Sequence, residues 1–255
     1  MIKYYYMYYN EFLQASIFII FSILAPVITF GGGIIVSNGL TFTGINLVQA
    51  AGITIMYFLV NGIIATVTFW KNIIWSEVKA ILPISTIGSV LGALFLSKIS
   101  PTILLIFMLY FALRFLYQHI FEKENIKYKT NENNLSKWSM ALLSGFLSSA
   151  ALPGGGLRNT YLLSKGYLLH QVHGTTSIIG IIGWALNIFI LFQTDILKIS
   201  NTYVILIVIP FLILSNYKIK KGLLHLPKSI SHKISLVVIL LFSLYAIVSL
   251  VLQLI

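Results

Sequence analysis

The sequence predicts an all-α polytopic membrane protein with about eight transmembrane helices in two internal repeats, the first helix of each repeat being broken by glycines. Three observations support this prediction. Of the 255 residues, 58% are hydrophobic and 9% are charged, whereas a soluble domain carries about 25% charged residues. Several apolar runs reach or approach the roughly 20 residues that a helix needs to cross a bilayer. A glycine-rich motif also occurs twice, on either side of a polar stretch.

Eight apolar segments are the candidate spans. They are residues 12–30, 47–70, 78–97, 102–121, 138–152, 171–193, 203–217 and 234–254. The polar connector at 122–137 divides them into two groups and is interpreted as a solvated linker. We therefore expect one transmembrane repeat in residues 1–121 and a second in residues 138–255.

Matching residues in the two halves indicate an internal duplication. The glycine triplet at 31–33 matches the triplet at 154–156 at an offset of 123 residues. After a shift of one residue, further matches follow in order: Gly44 with Gly166, Gln49 with Gln171, Gly52 with Gly174 and Thr54 with Thr176. Transporters are commonly built from such repeats, with the binding site between them.

The chain is strongly basic and lacks cysteine. Seventeen Lys and Arg residues against six Asp and Glu residues give a formal net charge of +11. This excess indicates either loops that contact anionic lipid head groups or a pathway for an anion. Nucleic acid is not an expected partner, because the sequence has no basic soluble domain. Without cysteines, disulfides and thiolate metal sites are excluded, and we expect neither a metal nor another cofactor.

The glycine triplets favour a break in a helix at membrane depth. Segment 138–152 rises only about 22 Å as a helix, less than the ~30 Å hydrocarbon core, so the second triplet should still lie inside the membrane. We expect non-helical backbone there, which is tolerated where protein or a watery cavity meets it and whose free N–H groups suit an anion. The alternative is close helix packing, which we prefer for Gly88 and Gly92.

Arg158 follows the second triplet within the apolar part of the chain. An arginine in a bilayer is costly and normally faces a cavity, a partner or backbone carbonyls. Because the acidic residues lie in loops or at the ends of spans, a bound anion is the expected counter-charge. The alternative is that the side chain extends to the nearby interface, where Lys165 follows.

Two stretches, GGGIIVSNGLTFTGINLVQAAGITI at 31–55 and PGGGLRNTYLLSKGYLLHQVHGTTSIIG at 153–180, resemble the two repeats of the TauE/SafE family of sulfite exporter-like permeases. IIWSEVKAILPISTIGSVLGALFLSKIS at 73–100 resembles the third span of that family. The resemblance implies a multi-pass permease of the bacterial inner membrane for sulfite, sulfonates, thiosulfate or related anions. It places the family's glycine motifs on the two triplets and its Thr-Ser position on Thr176 and Ser177, with Thr54 in the first half.

We therefore predict a secondary transporter for a small sulfur-containing anion, not an enzyme, that works by alternating access between two repeats. Its expected partners are the anion and the lipid bilayer, and homo-oligomerisation is left open. The predicted substrate-binding residues are Gly31, Gly32, Gly33, Asn38, Gln49, Thr54, Gly154, Gly155, Gly156, Arg158, Asn159, Gln171, Thr176 and Ser177. His170 and His173 are candidates for proton coupling because histidine titrates near neutral pH.

Two other function classes remain open from the sequence. A passive anion channel can use the same residues, and conductive rather than saturable flux distinguishes it. An intramembrane enzyme needs a nucleophile, a base and an orienting acid together, and no Asp or Glu is evident within the spans.

Overall fold

The computed structural model describes residues 16, 19–20, 32–41, 43–121, 134–150, 152, 154–198 and 203–222. Within these ranges the chain forms eight α-helices and no strand. They are α1 (Gly32–Thr41), α2 (Leu47–Thr68), α3 (Trp75–Lys98), α4 (Pro101–Phe121), α5 (Asn134–Ser149), α6 (Gly154–Ser164), α7 (Leu169–Gln193) and α8 (Tyr203–Gly222). For these residues the prediction of an all-α protein is confirmed.

Three helices, α2, α3 and α7, are long and apolar enough to cross a membrane. Their outer faces carry exposed large apolar side chains, among them Val67, Ile87 and Phe189. Such extensive exposure is unusual for a soluble protein and is expected of helices that face lipid. Six of the predicted spans coincide with described helices, whereas 12–30 and 234–254 fall outside the described residues apart from residues 16, 19 and 20. The number of eight crossings stays a prediction.

Helices α2 and α7 pack against each other and run in opposite directions. A Cβ at Gly52, near the start of α2, would contact Leu191 near the end of α7. A Cβ at Gly174, near the start of α7, would contact Phe69 just after α2. Both contacts are closer than ordinary side-chain packing allows, so the two glycines let these helices approach each other.

Helix α5 packs directly on α3 through small residues. A Cβ at Gly88 or Gly92 of α3 would collide with a carbonyl oxygen of α5, and a Cβ at Gly145 of α5 would collide with the carbonyl oxygen of Ser85 in α3. Backbones approach this closely only where side chains are absent. The close-packing interpretation of Gly88 and Gly92 is therefore confirmed.

Helices α5 and α6 form a hairpin. At its tip the two helices are in close contact, and its two outer ends pair with the same residue, Glu77. A Cβ at Gly154, the first residue of α6, would collide with backbone atoms of Ser148 in α5. At the other end, Glu77 in the first turn of α3 pairs with Lys137 of α5 at 3.0 Å and with Lys165, just after α6, at 2.8 Å. The chain thus leaves the Glu77 end of α3 along α5 and returns to it along α6.

The expectation of non-helical backbone at the triplets is wrong wherever the structure describes them. Gly32 and Gly33 lie in α1, and Gly154–Gly156 form the first turn of α6. The interruption comes earlier, between Ser149 and Gly154. It follows from Pro153, which lacks an N–H group and therefore cannot continue α5. Instead, Gly154 packs closely on α5 and the second triplet begins the next helix. Gly31 lies outside the described residues.

The short helices α1 and α6 are followed by similar turns. Gly44 has a φ of +79° and Gly166 a φ of +84°, values that glycine adopts without steric cost. The next long helix begins shortly after each of these glycines, at Leu47 and at Leu169. The backbone therefore agrees with the sequence matches at these positions, while superposition of the complete halves stays a prediction.

Candidate functional site

Arg158 in α6 is only 1% exposed and is the largest of the fully buried side chains in the described part of the chain. Its Nη2 donates to Ser148 Oγ of α5 at 2.9 Å, and its Nη1 makes a longer contact of 3.4 Å with Ser85 Oγ of α3. The guanidinium therefore lies between α3, α5 and α6. This burial rules out the alternative in which the side chain extends to the interface.

The position of Ser85 gives the depth of the guanidinium. From Trp75, where α3 begins, to Ser85 the helix rises about 15 Å at ~1.5 Å per residue. That is about half of the ~30 Å hydrocarbon core. If α3 crosses the bilayer from its first residue, the charge of Arg158 lies close to the midplane.

The guanidinium also lies beside the N-terminus of α6. Ser148 Oγ accepts from Arg158, and the same residue contacts Gly154, where α6 begins. The N–H groups in the first turn of a helix lack intrahelical acceptors and carry partial positive charge. A Cβ added at Gly155 would find no atom within 4 Å, so there is open space next to this turn. The charge of Arg158 and the partial positive charge at the start of α6 thus lie close together.

No acidic side chain neutralises Arg158 in the described ranges. The ion pairs formed there are those of Glu77 with Lys137 and Lys165. The Nε of Arg158 also has no hydrogen-bond partner there. A buried charge without a counter-charge costs several kcal/mol, so the arrangement favours binding of an anion.

Further polar groups lie where α5 ends. Asn187 of α7 is fully buried, and its Nδ2 donates to the carbonyl oxygen of Ser149 at 2.6 Å. Neither Asn187 Oδ1 nor Ser149 Oγ has a partner among the residues that the structure covers. Asn187, Ser85, Ser148 and Ser149 were not predicted as site residues. An asparagine inside an apolar span was a usable signal, whereas serines are too common in such helices to stand out.

The other predicted residues of the second half lie along α7. Gln171 Oε1 accepts from the backbone N–H of Leu168 at 3.0 Å and so caps the start of α7. Thr176 Oγ1 donates to the carbonyl oxygen of Val172 at 2.8 Å, within the same helix. Thr176 and Ser177 are both buried. These contacts give Gln171 a structural role at the helix end, and a role in binding stays a prediction for all three.

The predicted residues of the first half join α1 to its neighbours. Ser37 Oγ of α1 donates to Thr54 Oγ1 at 3.1 Å, and Thr54 Oγ1 donates to the carbonyl oxygen of Ala50 at 2.8 Å. Asn38 Nδ2 contacts Met108 Sδ of α4 at 3.8 Å. Gln49 is partly buried. This group contains no charged side chain.

The two histidines lie at the start of α7. The ring of His173 stacks on Phe69, with centroids 6.2 Å apart, next to the connector between α2 and α3. His170 is partly buried. Among the described residues, no three His, Cys, Asp or Glu side chains are grouped as metal ligands. Proton coupling through either histidine stays a prediction.

Comparison with known proteins gives one match. The family model described as Sulfite exporter TauE/SafE matches residues 15–246. No curated protein and no solved structure matches the chain. The matched range includes all eight described helices, the Arg158 group and the α5–α6 hairpin.

Proposed function

The chain belongs to the TauE/SafE sulfite exporter family, a family of membrane transporters for sulfur compounds, and from this we propose that it is a secondary transporter for a small sulfur-containing anion. Sulfite, a sulfonate and thiosulfate are the candidate substrates. The family membership confirms the resemblance found in the sequence, and it favours transport over catalysis. A multi-pass location in the bacterial inner membrane is part of the proposal.

The observation that carries the proposal is a buried arginine near the start of a helix, with no acidic partner among the described residues. In our proposal the anion lies between the Nε of Arg158 and the first turn of α6. Ser148 and Ser85 hold the guanidinium in place through their hydroxyl groups. Charge-assisted hydrogen bonds of this kind are about twice as strong as neutral ones, and excluding water strengthens them further.

The α5–α6 hairpin is the element that we propose to be re-entrant. Its outer ends, at Lys137 and Lys165, pair with the same carboxylate. From Lys137, which pairs with Glu77, to Ser149 at the end of α5, the helix rises about 18 Å, slightly more than half of the ~30 Å hydrocarbon core. The hairpin therefore enters and leaves at one membrane face, with its tip near the midplane. In that case segment 138–152 does not cross the membrane, and the full crossings number fewer than eight.

The two halves are proposed to be inverted copies of one unit. Helices α2 and α7 contain the matching Gln49 and Gln171, and they run in opposite directions. Each follows a short helix and a glycine with positive φ. Transporters with inverted repeats bind their substrates near the midplane and expose the site alternately to the two sides. Arg158 lies at the corresponding depth.

The test is transport by the purified chain in proteoliposomes. We expect saturable uptake of sulfite, thiosulfate or methanesulfonate, with counterflow, and weak uptake of acetate. Linear and electrically conductive flux of the same anions would show that the protein is a channel rather than a carrier. If none of the sulfur anions is transported by protein that is folded and inserted, the proposed function is wrong.

A further inference from the structure

We propose that Asn187 determines specificity by accepting a hydrogen bond from the bound anion. The site would then select a sulfur monoanion that carries its own hydrogen-bond donor, such as hydrogen sulfite or an aminosulfonate. This inference rests on the proposed function and goes further, because it assigns a residue and a protonation state to the ligand.

The contact with Ser149 settles which way the Asn187 carboxamide points. A carbonyl oxygen can only accept, so the NH₂ group of Asn187 must face the carbonyl of Ser149, 2.6 Å away. The Oδ1 atom therefore points elsewhere, and in the described ranges it meets no donor. A fully buried acceptor without a donor is unfavourable. A ligand that donates to it would remove this penalty.

The carboxamide and the guanidinium bind adjacent residues of α5. Ser149, which binds Asn187, directly follows Ser148, which binds the guanidinium and contacts Gly154. The last two residues of α5 thus contact the guanidinium, the start of α6 and the carboxamide.

A second contact, from α3, shows which face the two groups share. A Cβ at Gly183, one turn before Asn187 in α7, would collide with Ser89 Oγ. Ser89 lies one turn after Ser85, which contacts Arg158. Residues one helical turn apart share a face, so Asn187 and the guanidinium lie on the same face of α3. Helices α3 and α7 run in the same direction, with Ile74 bonded to Thr175 and Ser89 beside Gly183, so Asn187 lies farther along that face than the guanidinium.

The two sides of this group have opposite hydrogen-bonding character. Arg158 and the first turn of α6 offer only donors, which suit the oxygens of a sulfur anion. Asn187 Oδ1 offers only an acceptor, which repels an oxygen that carries only lone pairs. The complementary ligand therefore has acceptor oxygens on one side and an O–H or N–H group on the other. A fully deprotonated anion leaves Asn187 unpaired.

Sulfamate and methanesulfonate test this inference. Both are tetrahedral monoanions of similar size, but sulfamate has an NH₂ group where methanesulfonate has a methyl group. We expect wild-type protein in proteoliposomes to take up sulfamate with an apparent affinity at least about tenfold higher, since sites built to bind a donor reject analogues that lack it. Asn187→Leu removes the acceptor at similar size, so the two affinities should become nearly equal.

Asn216→Leu is the matched control. Asn216 of α8 is also buried, but its Nδ2 donates to Asn61 Oδ1 and to the carbonyl oxygen of Leu212, both at 2.9 Å. This substitution should leave the ratio of the two affinities unchanged. Where Asn187→Leu fails to fold, Asn187→Asp provides the test. In folded and inserted protein its carboxylate brings a negative charge towards Arg158, so uptake of both anions should fall.

The outcomes separate this inference from the proposed function. Equal affinities in wild-type protein, an unchanged ratio in Asn187→Leu, or uptake of both anions by Asn187→Asp would overturn the role of Asn187 and leave anion transport intact. If wild-type protein takes up neither anion and no sulfite, the proposed function fails and this inference fails with it.

Discussion

The short helices α1 and α6 have similar lengths and similar places in the two halves of the chain, yet only α6 carries a charge. They have 10 and 11 residues, and each is followed by a glycine with positive φ and a long helix. When Gly44 is aligned with Gly166, Arg158 corresponds to Val36, and both side chains are 1% exposed. The same backbone arrangement thus buries an apolar side chain in one half and a cation in the other.

The two environments differ accordingly. Val36 belongs to an apolar cluster with Leu40 and Ile53, and the nearby Ser37 is paired with Thr54. Around α1 the polar groups satisfy one another. Around α6 the guanidinium meets only hydroxyl groups, and its Nε is left without a partner in the described ranges. The comparison indicates that the backbone arrangement serves packing in both halves, and that a single residue distinguishes the second as the proposed ligand site.

The largest expected effect comes from placing the charge in the first half. Val36→Arg should destabilise the protein by about 3–5 kcal/mol, because it leaves a buried charge uncompensated. We expect little folded protein in the membrane, measured by size-exclusion profile and thermal unfolding, whereas Val36→Leu should fold. Normal folding of Val36→Arg would show that α1 also faces a cavity, and the contrast between the halves would disappear.

The next effect concerns removal of the charge from the second half. Arg158→Gln should lose a charge-assisted contact of about 1.5–3 kcal/mol, which corresponds to roughly ten- to hundredfold weaker apparent affinity for the transported anion. The concentration dependence of uptake into proteoliposomes measures it. Arg158→Lys should restore part of the affinity, since lysine keeps the charge but lacks the planar fork. Unchanged transport by Arg158→Gln at equal protein level would remove Arg158 from the site.

Substitutions at two neighbouring glycines of α6 test how closely this helix packs on α5, without changing any charge. Gly154→Ala places a Cβ against the backbone of Ser144 and Ser148 and should destabilise the α5–α6 hairpin by about 1–3 kcal/mol, as overpacking does. Gly155→Ala meets open space and should leave thermal stability unchanged. Melting temperatures of the two purified variants measure the difference. Equal melting temperatures would contradict the close approach of α6 to α5.

The smallest effect is expected at the ends of the hairpin. Glu77→Gln removes the ion pairs with Lys137 and Lys165. The Glu77 side chain is only 7% exposed, but glutamine fills the same space and keeps an acceptor, and the two lysines are 21% and 22% exposed to water, so we expect a loss of only about 1 kcal/mol. Thermal unfolding measures it, with Lys79→Gln as a control on an exposed lysine of the same helix. A loss as large as that of Val36→Arg would mean that the ion pairs, rather than packing, hold the hairpin.

The stability contributed by the ion pair between Glu77 and Lys165 should not change with pH near neutrality. Burial by itself lowers the pKa of Lys165, but the hydrogen bond and the charge of Glu77 outweigh it and raise the pKa above its ordinary value. A raised lysine pKa contributes stability that is fully present below the ordinary value of about 10.4 and is lost only as the pH rises through the raised value. Thermal unfolding between pH 6 and 9 should therefore show no contribution from Lys165; a marked drop within that range would contradict the ion pair.

The sequence by itself determined the helices and one packing surface. The apolar runs at 47–70, 78–97 and 171–193 match α2, α3 and α7 to within a few residues, because only long apolar helices satisfy their backbone groups within a membrane. Gly88 and Gly92 were correctly interpreted as packing residues, since four-residue spacing puts both on one face of α3. The positions of Gly44 and Gly166 were likewise predicted to correspond, because few other residues adopt a positive φ.

The tertiary structure alone decided where the chain turns back and what surrounds Arg158. The triplets were predicted to be non-helical, but contact of Gly154 with Ser148 keeps the second one in a helix. Gln171 caps α7 through a local contact with Leu168, and its binding role stays a prediction. Ser85, Ser148 and Asn187 were not predicted, because a hydroxyl or amide in an apolar helix looks the same in sequence whether it bonds its own backbone or faces a ligand. Contacts such as that between residues 85 and 158 depend on how three helices pack, and the periodicity of any one helix carries no information about its partners.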